Sequence, residues 1–256
     1  MAYETITLDI SPRAIATVTL NRPDRGNALN QTLIDDIGNC FAALAVNPAV
    51  RVIVVRGAGK HFCAGADLGG SGGAGEAKYT LAGMMEVVDR CPKPTIAAVH
   101  GAAIGGGFAL TSACDVILAT PEAFFSIPET RLGMAPSPTL SALFMRAVGY
   151  RNFRRYGFSG ERISSAQAHT FGHVSEICAG DELNARVATI ADAMLMSAPG
   201  AMAALKARIA EYGIPPASEL YDPVHRDARH VRTEEALEGV AAFREKRRPR
   251  WYPQES

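Results

Sequence analysis

Glycine runs, paired histidines and scattered cysteines are the features of this chain that could do chemistry, and each implies a different kind. Three stretches are rich in glycine: Gly57-Ala58-Gly59-Lys60, Gly69 to Gly75 (GGSGGAG) and Gly101 to Gly107 (GAAIGGG). None matches G-x-x-x-x-G-K-[ST] or G-x-G-x-x-G, so neither a phosphate loop nor a dinucleotide fingerprint is expected. At Gly105-Gly106-Gly107 the backbone is open to close approach, and an apolar helical segment follows at once. The first N–H groups of a helix have no internal partner, and such groups can hold an anion or a developing oxyanion. Close packing of helix on strand explains the same glycines, and spacing alone leaves both readings open. His169 and His173 stand four apart on a predicted helix, a spacing that can bind metal. No acidic third ligand is nearby, so packed or solvated histidines are expected, and no metal. Cys63 as a nucleophile would need a histidine base. His61 is too close in sequence to serve, and Cys63 reads as a small packing residue.

The elements that must position these residues change character along the chain. Ala14 to Leu20 is a β-branched run ended by the turn signal Asn21-Arg22-Pro23-Asp24. Asn30 to Val46 carries Leu33, Ile34, Ile37, Phe41 and Leu44 at helical spacing, with Asn30 as N-cap. Val50 to Arg56, Pro94 to His100 and Asp115 to Ala119 are buried strands by pattern, and strands alternating with helices predict parallel pairing. From about Thr139 the pattern is helix after helix: Leu140 to Val148, Ser164 to Phe171, Asp181 to Ser197, Ala201 to Tyr212 and Glu234 to Arg247. Pro199, Gly200, Gly213, Pro215 and Pro216 punctuate them. Gly69 to Gly75 is a flexible loop by composition, either a surface linker or the mobile rim of a site. Trp251 is expected to pack the basic tail down.

Several segments together resemble the enoyl-CoA hydratase/isomerase (crotonase) superfamily. Phe62-Cys63-Ala64-Gly65-Ala66-Asp67-Leu68 is similar to its first signature. Lys93-Pro94-Thr95-Ile96-Ala97-Ala98-Val99-His100-Gly101 through Gly105-Gly106-Gly107, then Cys114-Asp115, is similar to its second. Phe125-Ser126-Ile127-Pro128-Glu129-Thr130-Arg131-Leu132-Gly133 is similar to its third. Asn21-Arg22-Pro23 with Asn27-Ala28-Leu29, and the tail Phe243-Arg244-Glu245-Lys246-Arg247, resemble its ends. The resemblance implies an α/β fold: a crotonase-like spiral of β-β-α turns over residues 1–195 holding the CoA site. A C-terminal helical trimerisation region would follow over 196–256. It also implies an acyl-CoA thioester as substrate and partner, and a homotrimer or a hexamer built as a dimer of trimers. No separate cofactor is implied, CoA being part of the substrate.

Carried over residue by residue, the oxyanion-hole N–H groups belong to Ala66 and Gly106, and the acid/base residue is Glu129. A thioester α-proton is weakly acidic, and its loss puts charge on the carbonyl oxygen that two preorganised donors stabilise, each by about 3 kcal/mol. Ala28, Ala64, Asp67 and Leu68 fall where the family holds adenine and pantetheine, and Gly105 and Pro128 complete the substrate-binding set. Arg25 and Lys246 are candidates for the phosphates, Lys246 possessing equally the character of a solvated side chain. Asp67 is equally a turn residue.

One departure decides the expected reaction. Two-glutamate hydratases carry a glutamate two residues after the glycine triple, and here that position is Ala109. A single carboxylate can still move a proton between C2 and C4 on one face, as in a Δ3,Δ2-enoyl-CoA isomerase, with Glu129 as base and then acid. A hydratase, or a related dehydratase or hydrolase with rearranged acid/base groups, is the alternative, with Met134, Ser137, Thr139 and Glu122 as candidates to enter the pocket. A degenerate member that only binds acyl-CoA is the second alternative.

Composition removes other classes. Lysine plus arginine equal aspartate plus glutamate, 26 against 26, so no overall charge draws the chain to nucleic acid. No apolar run approaches the roughly 20 residues of a membrane helix. The five cysteines, at 40, 63, 91, 114 and 178, form no C-x-x-C and no zinc pattern. A reducing compartment, the cytoplasm, is therefore expected.

Overall fold

A computed structural model describes residues 3–69, 77–211 and 234–252. Residues 70–75 of the glycine loop, together with Tyr212, Gly213, Pro215 and Pro216, lie outside the described residues. The elements run in the order β1 (Ile6–Ile10), β2 (Ile15–Leu20), α1 (Gln31–Val46), β3 (Val52–Gly57), α2 (Leu81–Asp89), β4 (Thr95–Val99), β5 (Ala102–Ile104), α3 (Gly106–Ser112), β6 (Val116–Ala119), β7 (Phe124–Ser126), α4 (Pro138–Ser159), β8 (Arg162–Ser164), α5 (Ser165–Thr170), β9 (Glu176–Ile177), α6 (Leu183–Leu195), α7 (Pro199–Glu211) and α8 (Glu234–Arg244). Short 3-10 turns occupy Pro23–Arg25 and Glu129–Leu132.

The main sheet has six strands in the order β1-β2-β3-β4-β6-β9. Only the β1–β2 pair is antiparallel; every other neighbour is parallel. Parallel strands are covered on both faces, and the alternation along them shows how. Ile53, Val55, Ala97, Val99, Ile117 and Ala119 face one core together with α1, whereas Val52, Val54, Ile96, Ala98 and Leu118 face a second core closed by Leu183, Val187 and Ala191 of α6. Each fully buried aliphatic side chain stabilises by about 1.5–3 kcal/mol. A second, three-stranded sheet, β5-β7-β8, lies beyond the first. Each circuit of the chain lays one strand beside the last and then turns away, which gives a spiral.

The predicted α1 begins where the sequence places it. The Asn30 side chain accepts from the Leu33 amide at 3.0 Å, and Leu33, Ile34, Ile37, Phe41 and Leu44 are all buried. The helix predicted over Leu140 to Val148 runs on to Ser159, bent at Gly149, whose φ of 76° breaks the helical path. Helix α2 was not predicted: its run Leu81-Ala82-Gly83-Met84-Met85 has little polar contrast, and its cap, Thr80 accepting from Gly83 at 3.0 Å, is a weak signal.

The C-terminal region is helical and leans on the core. Lys206 of α7 reaches Asp115 at 2.7 Å. Helix α8 packs on the 3-10 turn Glu129–Leu132. Trp251 does not pack the tail down: it is 44% exposed. The tail is held instead by Glu238, which accepts from Arg247 at 2.6 Å and from the Arg250 side chain at 2.9 Å. All five cysteines are buried and free. Among the described residues no single helix is long and apolar enough to cross a membrane, and no group of three or more metal-ligating side chains assembles.

Candidate active site

Glu129 opens the 3-10 turn that follows β7 and Ile127-Pro128. Three contacts hold that turn. Thr130 Oγ1 donates to the Gly157 carbonyl at 2.6 Å, Arg131 Nε donates to the Ser159 carbonyl at 2.6 Å, and the Met134 amide closes back on the Glu129 carbonyl at 3.0 Å. The carboxylate points into a cleft of about 1760 Å3. Its Oε2 is buried without a hydrogen-bond partner among the described residues. Burial pushes its pKa up from 4.5 to about 7, only partly opposed by its own amide. A carboxyl poised near neutrality can both take and return a proton.

Ala66 and Gly106 line the same cleft and bring two backbone amides to it. Gly65 and Leu29 pair, as do Asp67 and Leu29, through Leu29 N–H to Gly65 O at 2.7 Å and Asp67 N–H to Leu29 O at 3.0 Å. These bonds leave the intervening Ala66 N–H free of any acceptor among the described residues. The Gly106 N–H, first in α3, is likewise without one. The two segments are joined by ladder bonds: Cys63 pairs in parallel with Ala103, and Ile104 N–H donates to Cys63 O at 3.0 Å. Each donor therefore lies three residues beyond one member of a bridged pair. The glycines do steric work here. Gly65 has φ +91°, and a Cβ on it would meet the Ile104 carbonyl oxygen at 2.8 Å. A Cβ on Gly107 would meet Cys63 O at 2.4 Å. Close helix–strand packing and open N–H groups, the two readings of this glycine run, thus coexist.

The cleft is lined as well by Arg25, Ala28, Ala64, Asp67 and Leu68, and by Gly105, Pro128, Met134 and Ser137. Asp67 is the anchor of the loop. It accepts from Arg22 at 2.9 Å and from Arg25 at 3.2 Å. Burial raises its pKa, but the Arg22 hydrogen bond, the Gly69 amide and the two guanidinium charges outweigh burial and hold the group ionised below its ordinary range. Arg22, which also donates to the Ala28 carbonyl, stands behind the lining as its support, a role the sequence hides in a turn. Its only sequence signal is the Asn21-Arg22-Pro23 run. Asn27 Nδ2 donates to the carbonyls of Ala58, His61 and Phe62, tying the same turn to the strand β3 exit. Lys246 does not line the cleft; it is exposed, with a left-handed φ of 53°.

Other candidates fall away from the chemistry. Ala109 is fully buried in the core and does not line the cleft. Thr139 is buried and Glu122 exposed, both outside the lining. Ser137 does line the cleft, but its hydroxyl caps α4, accepting from Leu140 at 3.3 Å. His173 is a core ring: edge-on to Phe108 and Phe125 at 4.9 and 5.0 Å, 3.1 Å from Thr111 Oγ1, and driven by burial down to about 3. Burial pushes the Cys63 thiol up to about 12, which keeps it protonated at neutral pH and fits a packing residue.

Residues 11–254 match the family model for enoyl-CoA hydratase/isomerase. The chain is 36% identical over 251 residues to "Enoyl-CoA hydratase domain-containing protein 2, mitochondrial" of Bos taurus, covering 93% of this chain and 84% of that protein. It is 33% identical over 206 residues to "Delta(3,5)-Delta(2,4)-dienoyl-CoA isomerase, peroxisomal" of Arabidopsis thaliana, covering 73% of this chain and 74% of that protein. The crystal structure of an enoyl-CoA hydratase from Mycobacterium avium subsp. paratuberculosis K-10 superposes with a TM-score of 0.88 at 28% identity, over 98% of this chain and all of that one (100%). With the spiral fold and the cleft, these matches lead to one conclusion: the chain is an acyl-CoA-processing enzyme of the crotonase type and belongs to the enoyl-CoA hydratase/isomerase family.

Proposed function

We propose that the enzyme isomerises enoyl-CoA thioesters by a single-carboxylate proton shuttle, of the Δ3,Δ2-enoyl-CoA isomerase type. The observation that carries this reading is the isolation of Glu129. Of the other acids that line the cleft among the described residues, Asp67 is committed to Arg22 and Arg25, Glu161 pairs with Arg155 at 3.3 Å, and Asp24 sits in the exposed turn before Arg25. The position of a second carboxylate is filled by the buried Ala109.

In this reading the thioester carbonyl lies against the Ala66 and Gly106 amides. Glu129 in its ionised form removes a proton from C2 of a 3-enoyl-CoA. The electron pair moves onto the carbonyl oxygen, where the two N–H groups stabilise it. As the enolate collapses, the double bond forms between C2 and C3, and Glu129 returns the proton to C4. Atoms and charge balance with no water consumed. Burial of the carboxyl serves both halves, since a group with pKa near 7 is neither too weak a base nor too weak an acid.

Hydration of a 2-enoyl-CoA is the second reading, favoured by the hydratase name of the Bos taurus relative. It requires a second proton-transfer group, which a bound water between Glu129 and the substrate would have to supply. Incubation with 3-enoyl-CoA and 2-enoyl-CoA in D2O, with products read by mass, separates the readings. Isomer formed without gain of water supports the shuttle, with deuterium at C4 only as far as the Glu129 proton exchanges with solvent before its return. Rapid gain of one water from 2-enoyl-CoA replaces it with hydration. Binding without turnover of either would leave a degenerate acyl-CoA binder. Trimer formation belongs to the same proposal: Met196, Leu205, Ile209 and Leu237 leave apolar surface exposed on the C-terminal helices, and light scattering of the purified protein tests it.

A further inference from the structure

Two glycines lock α8 against the turn that carries Glu129. A Cβ on Gly133, whose φ is +68°, would stand 2.3 Å from the Glu235 carbonyl oxygen and 2.7 Å from the Ala236 nitrogen. A Cβ on Gly239 would stand 2.5 Å from the Leu132 carbonyl carbon and 2.6 Å from its oxygen. In each case the obstruction is backbone, which cannot rotate aside as a side chain can. The two main chains therefore meet at two points one helical turn apart on α8, residues 235 and 239, and both points fall within four residues of Glu129.

Helix α8 is itself clamped to the tail that follows it, whose Arg247 also lines the cleft. Glu238, with its side chain only 6% exposed, accepts from Arg247 through both oxygens at 2.6 and 3.2 Å. It also accepts from the Arg250 amide at 2.8 Å and the Arg250 Nε at 2.9 Å. Four charge-assisted bonds on one carboxylate are more than capping or solubility requires. On the cleft side, Gly239, Ala242 and Phe243 of the same helix form lining next to Leu132 and Met134. The helix is thus the outer wall against which the Glu129 turn rests, while α4 holds the turn's other side through Thr130 and Arg131.

We infer that α8, fixed by the Glu238 clamp and the Gly133–Gly239 interlock, is a positioning element for the Glu129 carboxylate. This rests on the reading of Glu129 as the proton-transfer group. A backbone interlock sets the height of the turn, and a carboxylate misplaced by about 1 Å costs on the order of a hundredfold in rate. Glu238 does not line the cleft, and Gly239 meets the turn through the Leu132 backbone, so the element acts through Glu129 and not on the substrate's oxyanion.

The test compares Glu238→Gln and Gly239→Ala in the full chain, at a temperature where each is folded by circular dichroism. Glu238→Gln adds no atom to the interlock and is the variant that folding problems would least affect. Expected are a kcat lowered at least threefold for Glu238→Gln and at least tenfold for Gly239→Ala. KM, and the inhibition constant of a saturated acyl-CoA, should stay within twofold, because the Ala66 and Gly106 donors are untouched. An unchanged kcat in folded Glu238→Gln, or a loss confined to melting temperature, overturns the inference. So does a KM that rises in step with the fall in kcat. Glu129→Gln in the same assay keeps the two ideas apart. If Glu129→Gln retains turnover, the reading of Glu129 fails. If Glu129→Gln is dead while both α8 variants keep full kcat, only the positioning role fails.

Discussion

A Cβ placed on Gly105 would stand 3.0 Å from Oε1 of Glu129. The glycine that opens the helix bearing one oxyanion donor is therefore also the floor beneath the acid/base group. Its backbone, φ +52° and ψ −116°, is one that L side chains rarely adopt. Gly105→Ala is expected to lower kcat roughly ten- to hundredfold through strain of about 1–3 kcal/mol borne at the site. Stopped-flow or steady-state kinetics on the proposed isomerisation check it, and a Gly105→Ala enzyme with normal kcat would show that the floor yields freely.

Glu129→Gln removes the proton carrier while keeping the shape of the side chain. A fall in kcat of at least roughly a hundredfold is expected, with acyl-CoA affinity by calorimetry nearly unchanged. In the wild type the base must be ionised in the free enzyme. With its pKa pushed up to about 7 by burial, kcat/KM should rise tenfold per pH unit below that value and level off above it. A plateau extending down to pH 5 would mean another group sets the profile.

The same group makes stability depend on pH in the opposite direction. Between the unfolded value of 4.5 and the folded value of about 7, the folded protein binds more protons than the unfolded chain. Unfolding free energy therefore falls as pH rises through that window. Glu129→Gln is free of this loss. It should melt above the wild type at pH 8, by at most about 3 kcal/mol in stability, with the gap closing near pH 4.5. Thermal melts at the two pH values settle it.

Removing Arg22 leaves Asp67, 6% exposed in its side chain, with the half-exposed Arg25 as its one cationic partner among the described residues. Arg22→Ala is expected to cost about 1–3 kcal/mol and to raise KM more than it lowers kcat, because the loop that presents the Ala66 amide loses its pin. Chemical denaturation paired with kinetics reads both effects. A double-mutant cycle with Asp67→Asn should show the two residues coupled.

His173→Phe tests the core ring. Burial holds this histidine neutral down to about 3, so in acid the unfolded chain takes up a proton that the folded one refuses. Its contribution to stability is present above the ordinary value of 6.5 and drains away as pH falls below it. The phenylalanine variant should lose less stability between pH 6.5 and pH 4 than the wild type, measured by urea midpoints, although it forfeits the Thr111 contact.

What the sequence made legible follows from where the signals are local. The strand cores and α1 were readable because alternation and 3.6-residue spacing act within one element: Val52 to Val55 divide between two cores as the pleat requires. Ala66, Gly106 and Glu129 were readable only as positions in three separate motifs, and their meeting around one cleft depends on the spiral. Arg22 escaped notice because its value lies in Asp67, which is 45 residues away. Helix α8 was expected from its pattern, but its backbone contact with the Glu129 turn has no periodic signature. Gly133 and Gly239 look like any other glycines until the two segments are placed together. Trp251 misled for the converse reason: a lone large ring suggests an anchor, while the anchor is the ion-paired Glu238.

The Cys63–Ala103 pairing has a consequence for how this active site can change over time. Adjacent strands sit about 4.8 Å apart wherever a ladder forms, and both donors leave their segments three residues past that rung. The gap between the donors is therefore inherited from the spacing of the sheet, not negotiated by loop sequence. On the proposed reading, substitutions in the loops, or the lack of a carboxylate at a position such as 109, alter what happens to the thioester without altering where the two donors stand. One half of the chemistry is a constant of the architecture, and the other half is free to drift.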